Sequence, residues 1–123
     1  MIPAINDHEL EAVLKQAAEA GAGNASTQLI RLPREVRSLF EEWLYQHFPD
    51  RAGRVLSLIR QCHDGTLYDA SFGSRMRGQG PYADALFARF HAACRRLGLD
   101  RKRRKLDTAK FGGKAQDAQL TLL

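Results

Sequence analysis

The sequence predicts a mostly α-helical fold carrying one short β-strand, in a single domain over residues 1–111 with a flexible tail over 112–123. Three observations lead there. Apolar residues recur at helical spacing in four separate segments. One run, residues 27–32, is a short β-branched and apolar stretch closed by Pro33. Gly21, Pro33, Pro49 and Pro81 stand where those segments start or stop.

The first helix is expected over about residues 7–20. Leu10, Val13, Leu14 and Ala17 share one arc, with Glu11 and Lys15 as an i,i+4 pair outside it. Asn6 or Asp7 is placed to cap its start, and Gly21 to end it in the left-handed conformation. The strand follows, and Pro33 then suits the first turn of a second helix. That helix is expected to bury Val36, Leu39, Phe40, Trp43 and Leu44 and to end near Pro49. A third, over about 50–61, presents Ala52, Val55, Leu56 and Ile59. Periodicity vanishes from 64 to 80, a length that in a compact domain is usually functional or mobile. Pro81 opens a fourth helix with Tyr82, Leu86, Phe90, Ala93 and Leu97 on its buried side, and Arg89 and Arg96 along one border of that face. A lone strand leaves its backbone unpaired, so it is expected to pair with another molecule or to belong to a larger parallel sheet.

Composition excludes several classes. The 123 residues allow one ordinary domain, able to bury roughly 65% of its unfolded surface without staples. No apolar run approaches the ~20 residues that span a bilayer, and no signal peptide opens the chain, so a cytoplasmic protein without membrane contact is expected. Two cysteines, Cys62 and Cys94, build no disulfide framework and fall short of the about four that a self-contained iron–sulfur cluster takes. Cys62-His63 with the HxxC pair His91 and Cys94 has the ligand types of a zinc site. Neighbouring Cys and His side chains diverge, however, and structural roles are expected for all four. His47 reads as a core-edge histidine.

Charge is unevenly spread. Residues 1–50 balance to −4 and residues 51–123 to +9, for a net +5 and a pI near 9.6. A basic half points to a polyanionic partner, nucleic acid first. Its candidate contacts are Arg75, Arg77, Arg89, Arg96 and the run Arg101, Lys102, Arg103, Arg104 and Lys105. The segment Phe72-Gly73-Ser74-Arg75-Met76-Arg77-Gly78-Gln79-Gly80 leads into a helix N-terminus and has the makings of an anion cradle, although GxxxxGK[ST] is absent. Arg31 is placed either to grip a phosphate or carboxylate, or to pair with Glu35.

Several motifs together carry a resemblance. Ile2-Pro3-Ala4-Ile5-Asn6-Asp7-His8-Glu9, Arg31-Leu32-Pro33-Arg34-Glu35-Val36 and Phe48-Pro49-Asp50-Arg51-Ala52 are three of them. Ser57-Leu58-Ile59-Arg60, Phe72-Gly73-Ser74-Arg75, Gly78-Gln79-Gly80-Pro81-Tyr82-Ala83 and Cys94-Arg95-Arg96-Leu97-Gly98-Leu99 complete the set. In order and spacing they resemble the C-terminal third of radical SAM proteins related to spore photoproduct lyase, a group often described as DNA repair photolyases. The match runs from Ile2 to about Phe111.

The resemblance implies the last βα units and C-terminal extension of a partial parallel βα barrel. The parent chemistry is a 4Fe–4S cluster on CxxxCxxC that cleaves S-adenosylmethionine. This sequence has no CxxxCxxC, and such barrels take roughly 200 or more residues. The implied function is therefore a truncated or separately encoded fragment, with nucleic-acid or substrate contacts and no catalysis by itself. Its implied partner is the missing N-terminal barrel polypeptide, with self-association of the chain as the alternative. Ile2 and Asn6 would then lie at the edge where S-adenosylmethionine binds. The competing class is a small basic helical module that binds nucleic acid or a sliding clamp. The end of the chain, Gln119-Leu120-Thr121-Leu122-Leu123, resembles the pentapeptide by which bacterial repair proteins dock on the clamp, with Gln119, Leu120, Leu122 and Leu123 as its contacts.

Overall fold

The computed structural model describes residues 1–68 and 76–101. Its elements are a 3-10 turn at Asp7–Glu9 and four helices: α1 (Leu10–Glu19), α2 (Val36–His47), α3 (Pro49–Cys62) and α4 (Pro81–Leu97). Helix α1 packs on α4, α2 on α3, and α3 on α4. The chain is mostly helical, as its periodicity requires.

Two apolar clusters hold it together. One joins Leu10 and Leu14 of α1 to Leu86, Phe87, Phe90 and Ala93 of α4, with Leu29 and Leu99 beneath. The other joins Phe40 and Leu44 of α2 to Ala52, Val55, Leu56 and Ile59 of α3, closed by Leu32 and Leu67. Helix α3 buries all four residues its spacing assigns, and Cys62 besides. On α4 the buried stripe is Ala83, Leu86, Phe87, Phe90, Ala93 and Cys94, with Tyr82 and Leu97 only partly covered. Gly98, at φ +66°, ends α4 and lets Leu99 donate back to the Cys94 carbonyl (2.9 Å) while its side chain enters the core.

The two N-terminal helices depart from expectation. The Asn6 side chain caps nothing: its Oδ1 accepts the Ile2 amide (2.8 Å), and the chain enters α1 through a 3-10 turn. Glu11 turns away from Lys15 to meet Arg89, and Lys15 reaches Glu19 instead (3.8 Å). Val13 is 61% exposed, because α4 covers only the Leu10–Leu14 edge of the arc. Pro33 stands before a turn with Arg34 at φ +44°, so α2 begins at Val36. Of its five expected core residues only Phe40 and Leu44 are buried; Leu39 is 63% exposed, with Val36 and Trp43 also open to solvent. His47 is exposed too and packs on the Trp43 ring (5.6 Å between centroids).

The predicted strand is the main correction. Residues 27–32 are not part of a sheet, and among the described residues the one ladder contact is an isolated antiparallel bridge between Asn24 and Asp100. A strand needs a partner that continues over several residues. Here the partners are single residues. The Leu29 amide donates to the Met76 carbonyl (3.0 Å) and the Ile30 amide to the Met1 carbonyl (2.9 Å). These bonds satisfy part of the backbone that the sequence left orphaned. No helix among the described residues is long and apolar enough to cross a membrane.

Candidate functional site

The segment around Leu29 lies between two other pieces of chain. Met1 donates its terminal amine to the Gln28 carbonyl (2.7 Å) and accepts the Ile30 amide (2.9 Å). One residue bonding to both neighbours of the residue opposite is the pattern of parallel strands. Met1 thus bonds both neighbours of Leu29 in a parallel sense, with α1 between them in sequence and no strand formed at either. The Leu29 amide points the other way, to Met76. Half-burial of the Met1 amine lowers its pKa from the ordinary value. Beside this pair opens a mostly apolar hollow of about 260 Å³, lined by Met1, Leu10, Val13, Thr27 and Phe90 among others.

Ile2 and Asn6 are brought together, and mainly with each other. Besides the side-chain bond, the Asn6 amide donates to the Ile2 carbonyl (3.2 Å), which ties the turn after Met1 into a closed loop. From this loop Asp7 reaches α4, where its Oδ2 accepts the Tyr82 hydroxyl (2.6 Å). Burial, followed by this bond to a carboxylate, holds the Tyr82 hydroxyl far above its usual pKa.

The described part of the glycine-rich segment is built for packing. Gly78 has φ +72°, and a Cβ there would lie 2.9 Å from Leu29 Cδ1 and 3.0 Å from the Cys62 carbonyl oxygen. The Gln79 amide donates to that same carbonyl (2.8 Å). The freedom of Gly78 is thus used to seat the loop on the C-terminal end of α3, where carbonyls repel anions. At Gly78 the backbone is taken up by this packing, while Phe72, Gly73 and Ser74 of the same segment lie outside the described residues. Arg77 lies over the Phe87 ring, 5.3 Å from its centroid.

The other basic candidates divide sharply. Arg89 is engaged: Nε and Nη2 bond the Glu11 carboxylate at 2.9 and 2.7 Å, and Nη2 also reaches the Asp7 carbonyl (3.3 Å). That hydrogen bond lowers the Glu11 pKa and raises that of Arg89. Arg96 is exposed, and Arg101 packs its stem on Gly23. Arg31 makes no ion pair with Glu35; its Nε is buried and donates to no partner among the described residues. Arg89 is in fact the one arginine that pairs with a carboxylate among the described residues. Arg75, Lys102, Arg103, Arg104, Lys105, Gln119, Leu120, Leu122 and Leu123 lie outside the described residues. Sequence reasoning missed Arg51 and Arg54, which flank a polar hollow with His8. Their i,i+3 spacing in the first turns of a predicted helix was the available signal.

The cysteines do not fit a cluster. Cys62 and Cys94 are both buried, on different helices, and burial raises the pKa of each thiol. For Cys62 the Ala83 amide offsets part of that rise. Among the described residues no three His, Cys, Asp or Glu side chains come together in a group that could hold a metal ion. No family model, curated protein or solved structure matches this chain.

Proposed function

We propose that the chain is the C-terminal portion, or a separately encoded counterpart, of a radical SAM protein related to spore photoproduct lyase, and that its basic half contacts nucleic acid. The reading takes its family from the motif resemblance. The observation that carries it is the pair of parallel-sense bonds from Met1 to the neighbours of Leu29, across α1. A βα barrel repeats strand, helix and parallel strand, and in this reading the two bonds between Met1 and the Leu29 segment are the start of such a pairing, which a neighbouring barrel strand would extend. The apolar hollow beside Met1 and Thr27, with Val13 open in its wall, is where side chains of a neighbouring strand would rest.

In this reading the cluster and S-adenosylmethionine belong to a barrel polypeptide, because this chain carries no CxxxCxxC. This chain's own residues close the barrel and present arginines to the substrate. The test is co-expression with a barrel polypeptide of that group carrying CxxxCxxC. A one-to-one complex is expected, with amide exchange across residues 27–32 slowed relative to the free chain. Absence of a complex, with unchanged exchange, refutes the barrel reading.

A second reading, a basic helical module acting on nucleic acid without a barrel, is favoured by the unpaired arginines. Arg34, Arg37, Arg51, Arg54, Arg60, Arg95 and Arg96 are exposed and form no ion pair among the described residues. Uncompensated guanidinium groups are what counterion release acts through. Labelled oligonucleotide binding that weakens steeply with salt, for the free chain, supports this part. Binding indifferent to salt overturns it.

A further inference from the structure

A hollow of about 350 Å³ lies between the 3-10 turn and the start of α3, lined by Ala4, Asp7, His8, Arg51 and Arg54. Its chemistry is one-sided. Arg51 and Arg54 stand one turn apart on α3, exposed and without a carboxylate partner among the described residues. They belong to the first two turns of a 14-residue helix, whose N-terminal dipole adds partial positive charge. His8 contributes a ring nitrogen, 3.9 Å from Glu9 Oε1 and so only loosely held. The one acid in the wall is Asp7, and it is occupied: Oδ2 takes the Tyr82 hydroxyl at 2.6 Å, and the Arg89 guanidinium sits on its backbone carbonyl. Two arginines lining one concave surface suit the oxygens of a phosphate, which guanidinium groups grip through short charge-assisted bonds.

We propose that this hollow is a phosphate-binding site, the point at which the chain grips one phosphate of a nucleic-acid backbone. Arg51 and Arg54 donate to the phosphate oxygens, and His8 closes the rim. The choice of nucleic acid as the source rests on the reading above; the phosphate site itself does not.

Two measurements separate them. The full chain is titrated with inorganic phosphate against chloride at matched ionic strength, and amide shifts are followed by NMR. Saturable shifts at Asp7, His8, Arg51 and Arg54 are expected; they should be lost in R51A/R54A and kept in R95A/R96A, which removes the same charge from the exposed face of α4. All four arginines are exposed, so both doubles should keep the fold, checked by thermal unfolding. Shifts that never saturate, or that respond equally to both doubles, overturn the site. A labelled oligonucleotide, single-stranded and duplex, is then titrated by fluorescence anisotropy. R51A/R54A should weaken binding at least about tenfold, and by more than R95A/R96A. Saturable phosphate binding beside oligonucleotide binding that ignores R51A/R54A, or is undetectable, leaves the hollow to a small phosphate compound and overturns nucleic acid as its source.

Discussion

The α1–α4 pair and the α2–α3 pair are held by different means. Helices α2 and α3 are neighbours in sequence, separated by Phe48 alone. Among the described residues no side-chain hydrogen bond or ion pair joins them; apolar contact suffices, with Phe48 and Trp43 rings 5.3 Å apart at the corner. Helices α1 and α4 are separated by residues 20–80 and carry a polar clasp on top of their apolar seam: Arg89 on Glu11, and Tyr82 on Asp7 in the turn just before α1. A short connection already fixes how two helices meet. A long one leaves their register open, and directional bonds between named atoms choose it.

The comparison can be broken most severely in the apolar pair. Leu44 is fully buried among α2 and α3 side chains. Leu44→Ala should cost about 2–5 kcal/mol, the range for deleting a core leucine and leaving a cavity. Denaturant unfolding should show the midpoint falling with an unchanged slope. Gly78→Ala tests the seat of the loop on α3, where a methyl meets Leu29 and the Cys62 carbonyl at a left-handed φ. We expect a loss of roughly 1–3 kcal/mol from strain alone. A smaller loss would mean that the loop moves off α3 readily.

The clasp should cost less to cut. Arg89 and Glu11 are each more than a third exposed, so Arg89→Ala is expected to lose at most about 1 kcal/mol despite its two-pronged geometry. Its pH signature is sharper. Glu11 has its pKa lowered in the fold by the Arg89 hydrogen bond, so its contribution is complete above the unfolded carboxyl pKa. It is lost as pH falls through the lower, folded value. Stability measured from neutral into acid should therefore fall less in Arg89→Ala than in the parent chain. Smallest of all is Leu39→Ser: the side chain is 63% exposed, and unfolding should shift by no more than about 0.5 kcal/mol. A large loss there would show that α2 is covered in solution by something beyond the described residues.

Periodicity and punctuation determined the helices themselves. Ala52, Val55, Leu56 and Ile59 formed one buried face because their spacing leaves α3 a single apolar stripe, and Pro49 and Pro81 opened helices because their fixed φ suits a first turn. Burial of the outer α2 residues and of Val13 was beyond the sequence, since spacing tells which residues share a face and not how much of that face a neighbour covers. The candidate site was legible only in kind. A basic half was plain from residue counts, but Arg89 was separated from Arg51 and Arg54 only by the fold, which laid Glu11 beside the first and a concave wall beside the others. The same holds for residues 27–32. Their composition predicted an extended segment. Whether it became a strand depended on how many consecutive partners reached it, and the tertiary structure supplied Met1 on one side and Met76 on the other, because backbone hydrogen bonds are made between chain segments that only folding brings together.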